Sequence, residues 1–451
     1  MRIEDTDRTR LVEDAVDRLL EIHEIFSMTP DEWPHRDGGV WPYTQSERLH
    51  IYQPRLHKLC EDGTAYYCFC SNERLAELHE EQTLLKIPPR YDGACRHIPY
   101  EEAKLRVDTG ESYTIRLKVP KAEKLVFDDL VLGHLEFNTS EVDDQVLLKS
   151  DGFPTYHGAV VIDDSLMNIT HVLRWQEWTS SLPKQILTAR ALGIELPRYG
   201  HVPWVLGNDG KKLSKRTGDV SVAKYLENGY LPEALLNYLV LLGWHPKNEK
   251  EIMSLDAMIA QFDITDIHRA GAVFDPVKLD WMNGEYIRAL DTESLHVRLS
   301  EYLKKYEPDF YREYALKDFS YNAKVITEVQ PRMKRLGEFS NHMKTFYSKS
   351  TWDISLLINP KMKVDTLEEA KLSLLFALTV LEGLDFTSLE WIKNPLLSAI
   401  SEAWHKNGVI LWPLRVALTG VEHSPWAFEC ASILGKTETL HRIWETLSKI
   451  R

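Results

Sequence analysis

From Gln145 onward, short apolar runs alternate with helix-forming stretches, and no other feature restricts the fold of this chain so tightly. The runs are Val146-Leu147-Leu148, Ala159-Val160-Val161-Ile162 and Ile169-Thr170-His171-Val172-Leu173, set among helical segments such as Pro183 to Leu192. Strands alternating with helices predict a mostly parallel sheet covered on both faces. Beyond about residue 285 the strand signal fades and amphipathic helices take over, which predicts an all-α domain. There, Leu367 to Leu384 is almost wholly helix-forming, and Thr387 with Glu390 three residues on fits a capping box.

Upstream, apolar residues from Leu11 to Phe26 recur at helical spacing, the Pro- and Gly-rich stretch from Thr29 to Tyr43 reads as a surface loop, and a second helix is expected from Ser46 to Glu61. Alternating Tyr113, Ile115, Leu117 and Val119 predict a strand, and Val126 to Phe137, with Asp128, Asp129 and Gly133, predicts a hairpin. Pro232 and Gly243 bracket a further helix.

Hydrophobic residues make up 43% of the 451 and charged residues 27%, an ordinary balance for a globular chain of two or more domains. No apolar run approaches the roughly 20 residues that span a bilayer, and no basic-then-apolar leader precedes Arg2, so the cytoplasm is the default compartment, with an organelle open if a targeting segment preceded Met1. The formal net charge of -14 argues against indiscriminate nucleic-acid binding but leaves room for a local basic groove.

Four segments carry chemistry, three of them readable on their residue types alone. Asn208-Asp209-Gly210-Lys211-Lys212-Leu213-Ser214-Lys215-Arg216 sets turn residues before four cations and a hydroxyl. It reads either as a solvated basic turn or as a loop that wraps polyphosphate and neutralises charge developing there. Arg2-Ile3-Glu4-Asp5-Thr6-Asp7 suits the carboxyl end of a parallel strand, where ligands bind in open α/β sheets, and equally suits a helix cap; both can hold at once. Cys68-Phe69-Cys70, then Cys95-Arg96-His97, with Tyr91 close by, has the donor types of a tetrahedral zinc site; the alternative is a set of buried thiols. Clustered cysteines suit a reducing compartment better than a disulfide framework.

Taken together, these segments resemble class I aminoacyl-tRNA synthetases of the glutamate-specific, bacterial or organellar kind. Most specific is Ser150-Asp151-Gly152-Phe153-Pro154-Thr155-Tyr156-His157, followed by Ile162-Asp163-Asp164, His171-Val172-Leu173-Arg174 and Glu177-Trp178. The resemblance implies an α/β, Rossmann-like catalytic domain with an α+β insertion, followed by an all-α anticodon-binding domain. It divides the chain into 1–62 and 145–220 for the catalytic domain, 63–144 for an acceptor-stem-binding insertion, 221–285 for a helical stem-contact region and 286–451 for the anticodon domain. The last is supported by Pro413 to Gly420, with Arg415 as an RNA contact or scaffold residue.

It further implies ligation of L-glutamate to tRNA(Glu) with ATP and Mg2+ by a monomer. Lys212, Lys215 and Arg216 then act on the phosphates in a KMSKS-type loop, with Leu213 and Ser214 also against ATP. Glu177 and Trp178 border the adenosine, Trp178 alternatively being core. Glu4 receives the substrate ammonium, and Arg174 with the Tyr156 hydroxyl takes the side-chain carboxylate, because a guanidinium fork pairs bidentately with one. A structural zinc ion would sit on Cys68, Cys70, Cys95 and His97, with Tyr91 as alternative ligand.

Trp175 stands where the family has a small residue, and Val160 where many members carry an Asn. In the family a HIGH loop precedes the strand that reads Arg-Ile-Glu-Asp, whereas here Met1 stands directly before Arg2. The expectation is therefore a catalytic domain incomplete at its start, with an impaired tRNA-binding fragment or paralogue as the alternative function and a mis-set start as the simpler explanation. A glutamyl-queuosine-type tRNA-modifying enzyme is a weaker rival, because such enzymes lack the helical last third.

Overall fold

Apolar residues alternating after Tyr113 form a strand because strands flank it on both sides. The computed structural model describes residues 1–7, 14–213, 221–348 and 351–450. The chain falls into two units, one of Met1–Leu213 with Leu239–Phe274, the other of Ser214–Tyr238 with Asp275–Arg451.

In the first unit the strands are β1 (Ala65–Cys68), β2 (Thr114–Leu117), β3 (Lys124–Asp129), β4 (Gly133–Asn138), β5 (Val146–Leu148), β6 (His171–Trp175) and β7 (Arg198–Val202). Its main helices are α1 (Ala15–Ile25), α2 (Leu49–Glu61), α3 (Asn72–Leu84), α4 (Tyr100–Asp108), α5 (Tyr156–Leu166) and α6 (Leu182–Leu192). Strands β1, β2 and β5 pair antiparallel in that order, β3 and β4 form the expected hairpin, and β6 pairs parallel with β7.

Helix α2 places Tyr52, Leu56, Leu59 and Cys60 on one buried face, at the spacing an amphipathic helix needs. That face packs on Ile115 and Leu117 of β2, Leu147 and Leu148 of β5, and Ala159 and Ile162 of α5. Gly158 lets α5 lie against β5, since a Cβ there would come within 2.4 Å of the Leu147 carbonyl oxygen.

Two expectations are corrected. Ala159 to Ile162 is not a strand but the buried centre of α5, capped by the Thr155 side chain. A four-residue apolar run reads alike in a buried strand and in a helix buried all round, and here the helix wins because both of its faces are covered. The sheet is accordingly not mostly parallel: among the described residues, parallel pairing is confined to β6 with β7 and to the isolated bridges Ile3–Thr44 and Leu206–Val273.

The second unit is helical, and no strand follows β7 among the described residues. Its core joins Leu295, Leu299 and Leu303 to Val325, Ile326 and Val329, and Leu374, Leu378 and Leu381 to Leu414, Leu418, Ile443 and Leu447. The capping box lies at Thr366 and Glu369, heading the helix Leu367–Glu382, not at Thr387 and Glu390. Ser388 caps the next helix instead, its hydroxyl accepting from the Glu390 N–H. A capping box needs the N-cap residue in extended backbone immediately before the first turn, and Ser388 holds that place. Gly435 breaks the final segment Ala427–Lys449 with a φ of 75°, a conformation that favours glycine. No helix among the described residues is long and apolar enough to cross a membrane.

Candidate active site and metal centre

Strand β6 alternates between exposed and half-buried residues, so Val172 and Arg174 share its inner face while Leu173 and Trp175 point outward. Trp175, the large residue after the arginine, is therefore on the opposite face from Arg174, 48% exposed. Arg174 stands opposite His201 in the parallel register with β7. Its Nε donates to His201 Nε2 at 3.0 Å and its Nη2 to Gln185 Oε1 at 2.8 Å. Its Nη1 is buried and has no hydrogen-bond partner.

Two of the other expected residues, Tyr156 and Trp178, stand beside Arg174. Tyr156, first residue of α5, has its ring centroid 4.9 Å from that of Trp178, and the Arg174 guanidinium lies 5.9 Å from the Trp178 ring. Trp178 is half-buried rather than core. Burial raises the Tyr156 phenol above its ordinary range and the Glu4 carboxylate adds to this, against the opposing charge and hydrogen bonding of the neighbouring Arg174 guanidinium.

Glu4 directly follows Ile3, which bridges to Thr44, and Arg2 holds it by an Nη2 to Oε1 contact of 3.0 Å. Arg2 in turn donates to Asp164 Oδ1 at 2.8 Å. Asp5 Oδ1 accepts from the Ser46 N–H at 2.8 Å, so one carboxylate of this segment does cap a turn, but a turn that lies far along the chain. Asp163, wholly buried, accepts from Arg48 Nε, Gln45 Nε2 and the Tyr52 hydroxyl at 2.9, 2.9 and 2.7 Å, locking α5 to α2.

In the basic segment, the Leu213 N–H donates to the Val205 carbonyl and the Gly207 N–H to that of Lys211, which folds Asn208 to Gly210 into a tight turn. Lys212 then pairs with Glu177. Ser214, Lys215 and Arg216 lie outside the described residues.

The cysteines gather at the end of β1. The sulfurs of Cys68, Cys70 and Cys95 lie within 4.8 Å of one another, and the Tyr91 hydroxyl is 3.3 Å from Cys68 Sγ and 3.5 Å from Cys70 Sγ. His97 is exposed and outside this group. Three thiols and a phenol suit zinc, and Arg74 lies 3.5 Å from Cys70 Sγ, where it would offset the charge of a metal-bound thiolate.

Residues 1–281 match the family described as tRNA synthetases class I (E and Q), catalytic domain, and residues 294–447 match the anticodon binding domain family. The chain is 41% identical over its full length to the glutamate–tRNA ligase of Clostridium acetobutylicum, of which it spans 91%. This chain belongs to the glutamate–tRNA ligases of class I. The ligase of Clostridium botulinum strain Hall is 42% identical, with the same shares of both chains covered. Among solved structures of such ligases, that from Elizabethkingia meningosepticum in complex with its amino acid superposes with a TM-score of 0.88 at 31% identity, covering 100% of this chain and 92% of that one. That from Elizabethkingia anophelis gives 0.86 at 31% identity, covering 99% and 92%.

Membership in this ligase family does not by itself give the supports of the site. Sequence reasoning passed over Gln185, Asp129 as a partner of His201, and Asp163 as the hub between α2 and α5, because each contact joins distant segments. Arg415 donates from Nη2 to the Glu422 carbonyl at 2.6 Å, its guanidinium lies 4.7 Å from the Trp412 ring, and its Nε is buried without a hydrogen-bond partner.

Proposed function

We propose that this glutamate–tRNA ligase activates L-glutamate with ATP and Mg2+ and transfers the glutamyl group to tRNA(Glu), with Arg174 as the receptor for the side-chain carboxylate. The observation that carries the site assignment is the buried, unpartnered Nη1 of Arg174, a residue that stands beside Tyr156 and Trp178, with the Glu4 carboxylate acting on Tyr156. A buried donor without a partner is costly unless a ligand supplies one, and a carboxylate is its strongest match.

Glu4 receives the substrate ammonium. One oxygen of the α-carboxylate attacks the α-phosphorus of ATP, and the bond to the bridging oxygen breaks as pyrophosphate leaves. Lys212, with Lys215 and Arg216, neutralises the charge that grows on the phosphates. Leu213 and Ser214 flank them, and Glu177 and Trp178 border the adenosine. A tRNA ribose hydroxyl then attacks the carbonyl and AMP departs.

Cys68, Cys70, Cys95 and the Tyr91 hydroxyl would hold a structural zinc ion, which would stabilise the insertion. The five free cysteines fit a reducing compartment, and we place the enzyme in the cytoplasm as a monomer. Charging of tRNA(Glu) with labelled glutamate tests the reading, beside Arg174→Ala and Lys215→Ala. Charging by the wild type, lost in both variants, is expected; binding of tRNA without any charging would overturn it.

A further inference from the structure

Arg174 is itself held by a buried relay. Asp129, at the end of β3, and His201, on β7, both have side chains at 0% exposure. Asp129 Oδ1 accepts from the backbone N–H groups of Val131, Leu132 and His201 at 2.9, 2.9 and 3.1 Å. Asp129 Oδ2 lies 2.6 Å from His201 Nδ1.

An arginine Nε only donates, so His201 Nε2 must present its lone pair to Arg174, and the ring proton must sit on Nδ1. Asp129 is the acceptor that keeps it there. The Tyr199 ring stacks on His201 at 6.1 Å and 13° and lies 4.7 Å from the Arg174 guanidinium, which closes the relay to water. His201 and Gln185 thus engage Nε and Nη2 and leave Nη1 as the unpartnered nitrogen of the fork.

We infer that Asp129 and His201 are positioning residues for amino-acid selection: Asp129 sets the His201 tautomer, and His201 aims the free edge of Arg174 at an anionic side chain in preference to an amide. The inference rests on Arg174 being the carboxylate receptor. An amide side chain would leave the guanidinium charge uncompensated, and an arginine free to rotate could present itself to either group.

Asp129→Asn isolates the relay. The amide oxygen still accepts from the three backbone N–H groups, but the amide nitrogen can donate to His201 Nδ1. That stabilises the other tautomer and sets a donor against Arg174 Nε. In tRNA-charging assays the expected result is a glutamate KM raised about 10- to 100-fold and a narrowed preference for glutamate over glutamine. The KM values for ATP and tRNA should stay near wild type. In Asp129→Asn/His201→Gln the glutamine oxygen can accept from Arg174 Nε whatever stands at 129, and the glutamate KM should return to within about fivefold of wild type.

An unchanged glutamate KM in Asp129→Asn, or an equal rise in all three KM values, overturns the inference. Arg174→Ala separates the two levels. If it too leaves the glutamate KM unchanged, the receptor assignment fails and takes the relay with it; if it raises that KM while Asp129→Asn does not, only the relay fails.

Discussion

Lys212 pairs through Nζ with Glu177 Oε2, joining the basic turn to the short helix that follows β6. Both side chains are well exposed, 48% and 40%, so the pair adds less than about 1 kcal/mol to stability. Its weight falls on function, since the proposed site puts a phosphate-neutralising cation and an adenosine acceptor at its two ends. Lys212→Ala should therefore melt within about 2 °C of wild type and charge tRNA(Glu) with a kcat about 10²- to 10³-fold lower. A melting shift of 6 °C, or an undiminished kcat, would count against this division.

Asp163 presents the opposite case. It accepts from the Arg48 guanidinium with both side chains almost wholly inaccessible. Removing the carboxylate strands a buried cation, which costs about 3–5 kcal/mol. Asp163→Ala should lower the urea midpoint of the first unit accordingly; a loss under 1 kcal/mol would show that water or a rearranged side chain takes the place of the carboxylate.

His157 is half-buried, its Nδ1 is inaccessible and without a hydrogen-bond partner, and burial with the charges of Lys184 and Arg174 lowers its pKa to about 4. The unfolded chain, near 6.5, binds the proton more readily. Stability is therefore full above about pH 6.5 and falls as pH drops toward 4, by about 3 kcal/mol in all. Urea titrations across this window should show the loss, and His157→Gln should flatten it. An identical slope in the variant would assign the effect to other groups.

Metal analysis can sort the donors of the cysteine cluster. Cys95→Ser should lose the zinc expected at one ion per chain, while His97→Ala should retain it, because His97 lies outside the sulfur group. Loss of zinc in His97→Ala would require the exposed imidazole to swing in and displace the Tyr91 hydroxyl.

Legibility in the sequence followed the range of the interaction. The β3–β4 hairpin, the helix Leu367–Glu382 and the helical last third were readable because each is written in local periodicity and turn residues. Ala159 to Ile162 was misread because a four-residue apolar run has no period, and only the Thr155 cap and the Gly158 contact with Leu147 mark it as a helix. Thr387 and Glu390 offer the spacing of a capping box twenty-one residues past the real one, since Thr and Glu at that spacing recur by chance and the backbone at Thr366 is what fulfils the motif.

At the site, Glu4, Tyr156, Arg174 and Trp178 are marked in the sequence by the resemblance to a known family, and the three cysteines by their donor type; the roles proposed for them rest on those two signals. Chemistry demands particular donors, and these stand in short recognisable segments. Folding alone chose between Tyr91 and His97 beside the sulfurs and turned Trp175 away from Arg174. It also brought Asp129 to His201 across 72 positions and His201 to Arg174 across 27. Such partners depend on strand register and helix packing, which no local pattern encodes, because register is settled by the whole buried face at once.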